Sequence, residues 1–218
     1  MSEIPLVPSD GLAIERAVEA LSAGRLVLHP TETVVSLSGD PGNADAVARA
    51  RRIKGYDESR PFLCLVAGIE AARALAAEWP ADAERLARRL WPGPLTLIVA
   101  AGPRAPGPVS ADGAIALRPA TDPVSRRLLA AWGRPLFSTS ANRRGEPPPS
   151  RIEDAARRLA DAPDADAIAL ALAWSGESEG APLGRPSTIV DVRGGEARIV
   201  RAGAVETDRL RGIMPGIR

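Results

Sequence analysis

Short apolar runs alternate with amphipathic stretches along almost the whole sequence, and these two patterns cannot be satisfied by the same backbone. RLVLH, FLCLV, LTLIVA, AIALRP, PLFST, AIALALAW and STIVDVR have the length and β-branched content of buried strands. Between them lie stretches with helical spacing. Leu12, Ala13, Ala17, Val18 and Leu21 share a face behind a candidate cap at Ser9, with Gly24 where that helix stops. Asn43 is placed to cap a helix running through Val47 and Arg51 to Ile53. IEAARALAAEW and DAERLARRLW follow, broken by Pro80 and ended by Trp91-Pro92-Gly93-Pro94, and further helices are expected over 122–132 and 151–159. A chain that interleaves strands and helices must bury apolar helix stripes against sheet faces, which predicts a layered α/β fold. Successive strands occur both with and without an intervening helix, so the sheet is expected to be mixed. STIVDVR and ARIVRAGAV read as a hairpin turned by Gly194-Gly195. No internal repeat or composition break marks a boundary, and one domain over 1–218 is expected.

Composition narrows the function. The apolar fraction of 45% supports a real core, whereas aromatics at 3% leave little for a stacking platform on single-stranded nucleic acid. A net charge of +1 disfavours binding by bulk electrostatics. The start, MSEIPLVPSD, lacks a basic segment followed by an apolar run, and no stretch has the apolar length of a membrane span; a cytoplasmic protein without membrane association is the expectation. One cysteine, Cys64 within PFLCLV, and one histidine, His29 at the end of RLVLH, are too few for a disulfide framework, a Cys/His metal cluster or a Ser-His-Asp relay. Both read first as buried structural residues. Lys54 is the sole lysine in a chain whose other fixed cations are arginines.

Five polar segments fall at strand ends: PTET, IKGYDESRP, ALRPATDP, STSAN, and RPST with RIVRAG. Loops held by a rigid sheet are where binding groups collect. These offer hydroxyls, an amide, one lysine and several arginines, and almost nothing that titrates near neutrality. Such an inventory suits an anion, phosphate or carboxylate, better than proton shuttling. Taken singly, each segment has an ordinary reading: Thr31 and Thr33 in a turn, Asn142 in a left-handed turn position, Arg201 paired with Asp191. Neither a Walker loop nor a G-x-G-x-x-G fingerprint is present.

In order, PTETVVSLSGD, IKGYDESRPFLCLV, WPGPLTLIV, STSANRRGEPPP, RPSTIVDV and RIVRAGAV resemble the YrdC-like family, the threonylcarbamoyl-AMP synthases. The resemblance covers roughly 23–205 and fits the family's short form. It implies a three-layer α/β domain around a twisted, mixed and mostly antiparallel sheet with a large concave cavity. It also implies condensation of L-threonine, bicarbonate and ATP to threonylcarbamoyl-adenylate and pyrophosphate. The threonylcarbamoyl group then passes to tRNA through downstream transferase proteins; direct tRNA contact by this chain is left open. Carried over by position, Thr33, Arg118, Ser138 and Ser187 are expected to hold threonine. Lys54, Arg60, Ser140, Asn142 and Arg201 are expected to face the nucleotide, with Mg²⁺ arriving on ATP rather than in a protein cage and no side chain acting as a nucleophile.

The chain also departs from the family pattern. Lys54-Gly55-Tyr56 stands where K-G-R is usual, which leaves Arg60 or Arg52 to replace an arginine or else implies a weaker phosphate site. Val35 and Ser36 replace an aromatic and a glycine, and Asp122, in place of a histidine, is expected to add negative charge near an anion site. The alternatives implied are a divergent relative with another carbamoyl or nucleotidyl transfer, or a non-catalytic RNA-binding module. The stretch SGESEGAPLG is expected to be a flexible loop.

Overall fold

The structure is a computed structural model that describes residues 3–57, 60–174 and 183–218. The helices are α1 (Gly11–Ser22), α2 (Ala44–Lys54), α3 (Ile69–Leu75), α4 (Ala81–Leu90), α5 (Pro123–Trp132), α6 (Ile152–Leu159) and α7 (Thr207–Ile213). The strands are β1 (Leu6–Pro8), β2 (Leu26–His29), β3 (Ser36–Gly39), β4 (Leu63–Val66), β5 (Leu95–Ala100), β6 (Ala114–Pro119), β7 (Leu136–Ser140), β8 (Ile168–Ala173), β9 (Thr188–Asp191) and β10 (Arg198–Arg201). All ten join one sheet in the order β1-β8-β2-β3-β7-β4-β6-β5-β9-β10. Pairs β1·β8, β2·β8, β4·β6 and β5·β9 are parallel and the other five antiparallel, so the sheet is mixed.

Side-chain alternation along the strands divides the core in two. Leu26 and Leu28 of β2, Cys64 and Val66 of β4 and Phe137 of β7 point to one face, where α2, α3, α4, α6 and α7 pack. Val27, Leu65 and Leu136, one residue out of phase, point to the other, where α1 and α5 pack. Three layers result. The two helices of the second face cover only part of the sheet, since β5, β9 and β10 contribute nothing to that cluster. The remainder of the face carries polar side chains, among them Arg118 and Thr96, beside Ala116, Ile98 and Ile189.

Local chemistry sets the helix starts. Asn43 caps α2 by accepting from the Ala46 amide at 3.0 Å, as the sequence indicates. For α1 the cap is Asp10, not Ser9: the Asp10 carboxylate accepts from Ala13 N at 2.8 Å, and a full negative charge suits the helix N-terminus better than a hydroxyl. Ser9 instead is buried and accepts from Arg127 at 3.0 Å. The buried face of α1 is Ala13, Ile14, Ala17, Ala20 and Leu21, while Leu12 lies 68% exposed. The helix expected over IEAARALAAEW ends at Leu75, because Ala76 leaves it to bridge Ala101. Strands β1 and β3 and helix α7 carry no strong local signal and emerge only from pairing and packing. The expected flexible loop falls mostly on 175–182, outside the described residues. Among the described residues no helix is long and apolar enough to cross a membrane.

Candidate functional site

The antiparallel register of β3 and β7 sets Ser38 opposite Ser138 and Ser36 opposite Ser140, so these four side chains share one face. In β6, Arg118 lies in register with Leu65 on that same face, and the Leu97–Leu117 register sets Thr96 of β5 beside it. A polar stripe therefore crosses the part of the sheet that α1 and α5 leave uncovered. Loops at the strand ends add the remaining groups.

Arg118 is 3% exposed and donates from one terminal nitrogen to Thr33 Oγ1 at 3.0 Å. The same nitrogen stands 3.1 Å from Glu32 Oε1, an ion pair without hydrogen-bond alignment. Buried Arg118 Nε and Glu32 Oε1 are both left without a hydrogen-bond partner. Buried polar groups ordinarily find partners, so an unmatched guanidinium edge marks a place for an incoming acceptor. Thr33 Oγ1 also meets Thr31 Oγ1 at 2.9 Å, and Thr31 passes its own proton to Val34 O at 2.6 Å, which locks the PTET turn.

Ser187, at the start of β9, is 2% exposed, with its hydroxyl 2.8 Å from Thr96 Oγ1. Arg201 does not pair with Asp191, which is engaged by Arg193 at 2.8 Å. It reaches back to donate to Ser187 O at 2.8 Å and to Ser187 Oγ at 3.2 Å. The glycine of R-x-G makes this crossing possible: a Cβ on Gly203 would lie 2.4 Å from Pro186 O and 2.5 Å from Ser187 C. Thr188 Oγ1 clamps the same crossing, donating to Val205 O at 2.8 Å.

Lys54, the last residue of α2, is fully buried. Its ammonium donates to the Ser140 carbonyl and to Asn142 Oδ1 at 3.0 Å, with Ser140 Oγ at 3.3 Å. Gly55 in the left-handed region turns the chain away directly afterwards. Burial, reinforced by the Arg60 charge and opposed by Glu146, pushes the Lys54 ammonium down to about 7. Asn142 is not in a left-handed turn conformation. Its amide nitrogen donates to Arg143 O at 3.0 Å and Glu146 O at 2.6 Å, pinning the segment after STSAN.

Tyr56 lies between two cations, its ring 5.3 Å from Lys54 Nζ and 4.4 Å from the Arg60 guanidinium. Arg60 thus reaches the neighbourhood of Lys54, whereas Arg52 is engaged by Asp164 at 2.5 Å on the outer surface. Burial, then the charge of Arg118 and more weakly that of Arg60, holds Arg201 below the usual arginine range. Arg60 is therefore coupled electrostatically to both Lys54 and Arg201, and Arg201 to Arg118. The Asp122 carboxylate, expected to add negative charge near an anion site, is buried and engaged by neighbouring donors. That carboxylate caps α5, accepting from Val124 N at 2.9 Å, and also accepts from Trp174 Nε1 at 3.1 Å.

Cys64 is buried and its thiol pushed up to about 12 by desolvation, as expected of an inert core residue. Cavities of about 330 and 480 Å³ open beside α5, sharing Ala67, Ala120 and Arg126, and none of the nine expected site residues lines either. The polar cluster is the stronger candidate site, since convergent charge and donors define what can be held. Glu32, Thr96, Tyr56 and Ser38 belong to its surroundings without having been singled out as site residues from the sequence. The T-E-T spacing around Glu32 was the available signal.

This geometry can be set beside known proteins. The Sua5/YciO/YrdC family model, described as telomere recombination, matches residues 19–203. A Xanthomonas euvesicatoria protein named threonylcarbamoyl-AMP synthase is 35% identical over 195 residues, which cover 86% of this chain and 97% of that protein. The crystal structure of Pyrococcus abyssi Sua5 complexed with L-threonine superposes with a TM-score of 0.85 at 27% identity, covering 98% of this chain. This chain spans 61% of that one. Escherichia coli YciO shares the fold, with a TM-score of 0.80 at 23% identity over 94% of this chain and 98% of its own. With the family model covering most of its length and a 35%-identical relative matching 86% of it, the chain belongs to the Sua5/YciO/YrdC family.

Proposed function

We propose that the protein is a threonylcarbamoyl-AMP synthase, condensing L-threonine, bicarbonate and ATP to threonylcarbamoyl-adenylate and pyrophosphate for a downstream tRNA-modifying transferase. The observation that carries the reading is a linked set of basic side chains, with Arg60 coupled to Lys54 and Arg201, and Arg201 to Arg118, in which Lys54 meets Ser140, Arg118 meets Thr33 and Arg201 meets Ser187 beside the Ser138 strand. Relatives carrying that name, at 35% identity over most of this chain, support it.

The chemistry needs no protein nucleophile. The threonine amine adds to bicarbonate with loss of water, giving a carbamate. A carbamate oxygen then attacks the α-phosphorus of ATP, a new P–O bond forms, and the bond to the β-phosphate breaks as pyrophosphate leaves. The site's task is to hold two anions against a polyphosphate, and arginines, a lysine that charges beside phosphate, and aligned donors can supply that. In this reading the free edge of Arg118 takes the threonine carboxylate, with Thr33, Ser138 and Ser187 around the amino acid. Lys54, Arg60, Ser140, Asn142 and Arg201 take the nucleotide and its phosphates. Mg²⁺ enters on the triphosphate; among the described residues no group of three His, Cys, Asp or Glu side chains is placed to hold a metal.

Purified protein incubated with ATP, Mg²⁺, L-threonine and bicarbonate should release pyrophosphate only when all are present. Release without threonine would point to another acceptor. ATP binding with no release under any combination would overturn the synthase reading.

A further inference from the structure

Behind Ser138 runs a row of buried hydroxyls that ends on the only imidazole of the chain. Ser138 Oγ meets Ser36 Oγ at 2.6 Å, Ser36 Oγ meets Ser38 Oγ at 3.0 Å, and Ser38 Oγ meets His29 Nε2 at 2.8 Å. All four residues are at most 4% exposed. The far side of the ring fixes the tautomer. His29 Nδ1 stands 3.0 Å from the Pro30 carbonyl, which can only accept, so Nδ1 carries the proton. Ser125 Oγ, also 3.0 Å from Nδ1, spends its own proton on the same carbonyl at 2.7 Å. Burial holds the imidazole well below its ordinary range, at about 4, so the ring is neutral and Nε2 is a bare acceptor.

Three side-chain contacts then have to be made by three hydroxyl protons, and the terminal nitrogen supplies none; the Thr139 carbonyl, 3.4 Å from Ser36 Oγ, is a longer contact than any of the three. Only one arrangement satisfies them all: Ser38 donates to His29, Ser36 to Ser38, and Ser138 to Ser36. In any other, two lone pairs face each other across a buried contact. We propose that His29, Ser38 and Ser36 are positioning residues that fix the polarity of Ser138, so that it offers lone pairs to the site and selects a substrate bearing a hydrogen-bond donor, the amino group of the amino acid. The inference rests on the synthase reading. It suits that chemistry throughout, because the nitrogen keeps an N–H after carbamoylation.

Two measurements test it. As His29 is the single histidine, its ring nitrogens can be observed without ambiguity by ¹⁵N-histidine NMR of the whole protein; protonated Nδ1 and unprotonated Nε2 are expected, and the opposite tautomer overturns the proposal. Second, binding of L-threonine is compared with that of 3-hydroxybutanoate, which lacks only the amine. Ser36→Ala frees the Ser138 proton to turn outward, and preference for L-threonine over 3-hydroxybutanoate should fall about tenfold, the weight of a hydrogen bond to a charged donor. An unchanged preference, or equal loss for both ligands, overturns the proposal while leaving the synthase reading intact. Wild-type protein with no affinity for L-threonine overturns the synthase reading itself. If Ser36→Ala does not fold, the tautomer decides.

Discussion

Above pH 7, Lys54 in the free protein should stand mostly as a neutral amine and become a full ammonium when nucleotide binds. Its buried ammonium is held at about 7 in the free protein, against an ordinary 10.5, so at pH 8 roughly one tenth of the molecules carry the charge. A triphosphate beside Nζ restores the charged form. Binding at pH 8 should therefore take up about 0.9 proton per nucleotide, and affinity should weaken about tenfold for each pH unit above 7. The sign is the same for the fold: with the native value below the unfolded one, the unfolded chain holds the extra proton, and stability of the free protein rises as pH goes from about 7 toward 10.5. The measurement is titration calorimetry at pH 8 in two buffers of different ionisation enthalpy, well above the second phosphate ionisation at about 6. Lys54→Arg is the control, because a guanidinium stays protonated and leaves nothing to take up. Zero uptake by the wild type, or the same uptake by Lys54→Arg, would refute the reasoning.

Two other substitutions separate parts of the site. Gly203→Ala places a methyl 2.4 Å from the Pro186 carbonyl, where backbone on both sides resists displacement; it should lower stability by about 1–3 kcal/mol in urea unfolding and raise the threonine KM by loosening the Arg201 grip on Ser187. An unchanged urea midpoint would mean that the crossing of the two segments is not tight. Arg60→Ala should weaken ATP binding roughly tenfold, as loss of one charge-assisted contact does, whereas Arg52→Ala, already paired with Asp164, should leave it unaltered. Equal losses would show that the two arginines share the role.

Much of the fold was legible in the sequence because its signals are local. The strands RLVLH, FLCLV and LTLIVA, the cap at Asn43 and the hairpin of β9 and β10 follow from spacing and turn residues within a few positions. The motif segments, likewise, nominate nine side chains, of which the fold brings Lys54 to Ser140 and Asn142, and Arg201 to Ser187. What escaped depended on partners distant in sequence. Strand β3 is a strand because β2 and β7 flank it, although SLSG has weak strand propensity. That Asp122 also caps a helix was not legible, since this depends on the start of α5 and on Trp174, 52 residues away.

The sequence by itself determined which chemistry is on hand: hydroxyls, arginines, one lysine and one histidine, at the ends of strands long enough to hold them rigid. Only the tertiary structure decided what each group can do with it. Burial brings Lys54 near neutrality, Glu32 takes up part of Arg118, and Tyr56 carries Arg60 into a place that Arg52 cannot reach. The serines gain a direction only when the register of three strands lines them up against a neutral imidazole. Charge, proton position and polarity depend on neighbours a few ångströms away, and in this chain those neighbours lie 102 residues apart for Ser36 and Ser138 and 112 for Arg52 and Asp164.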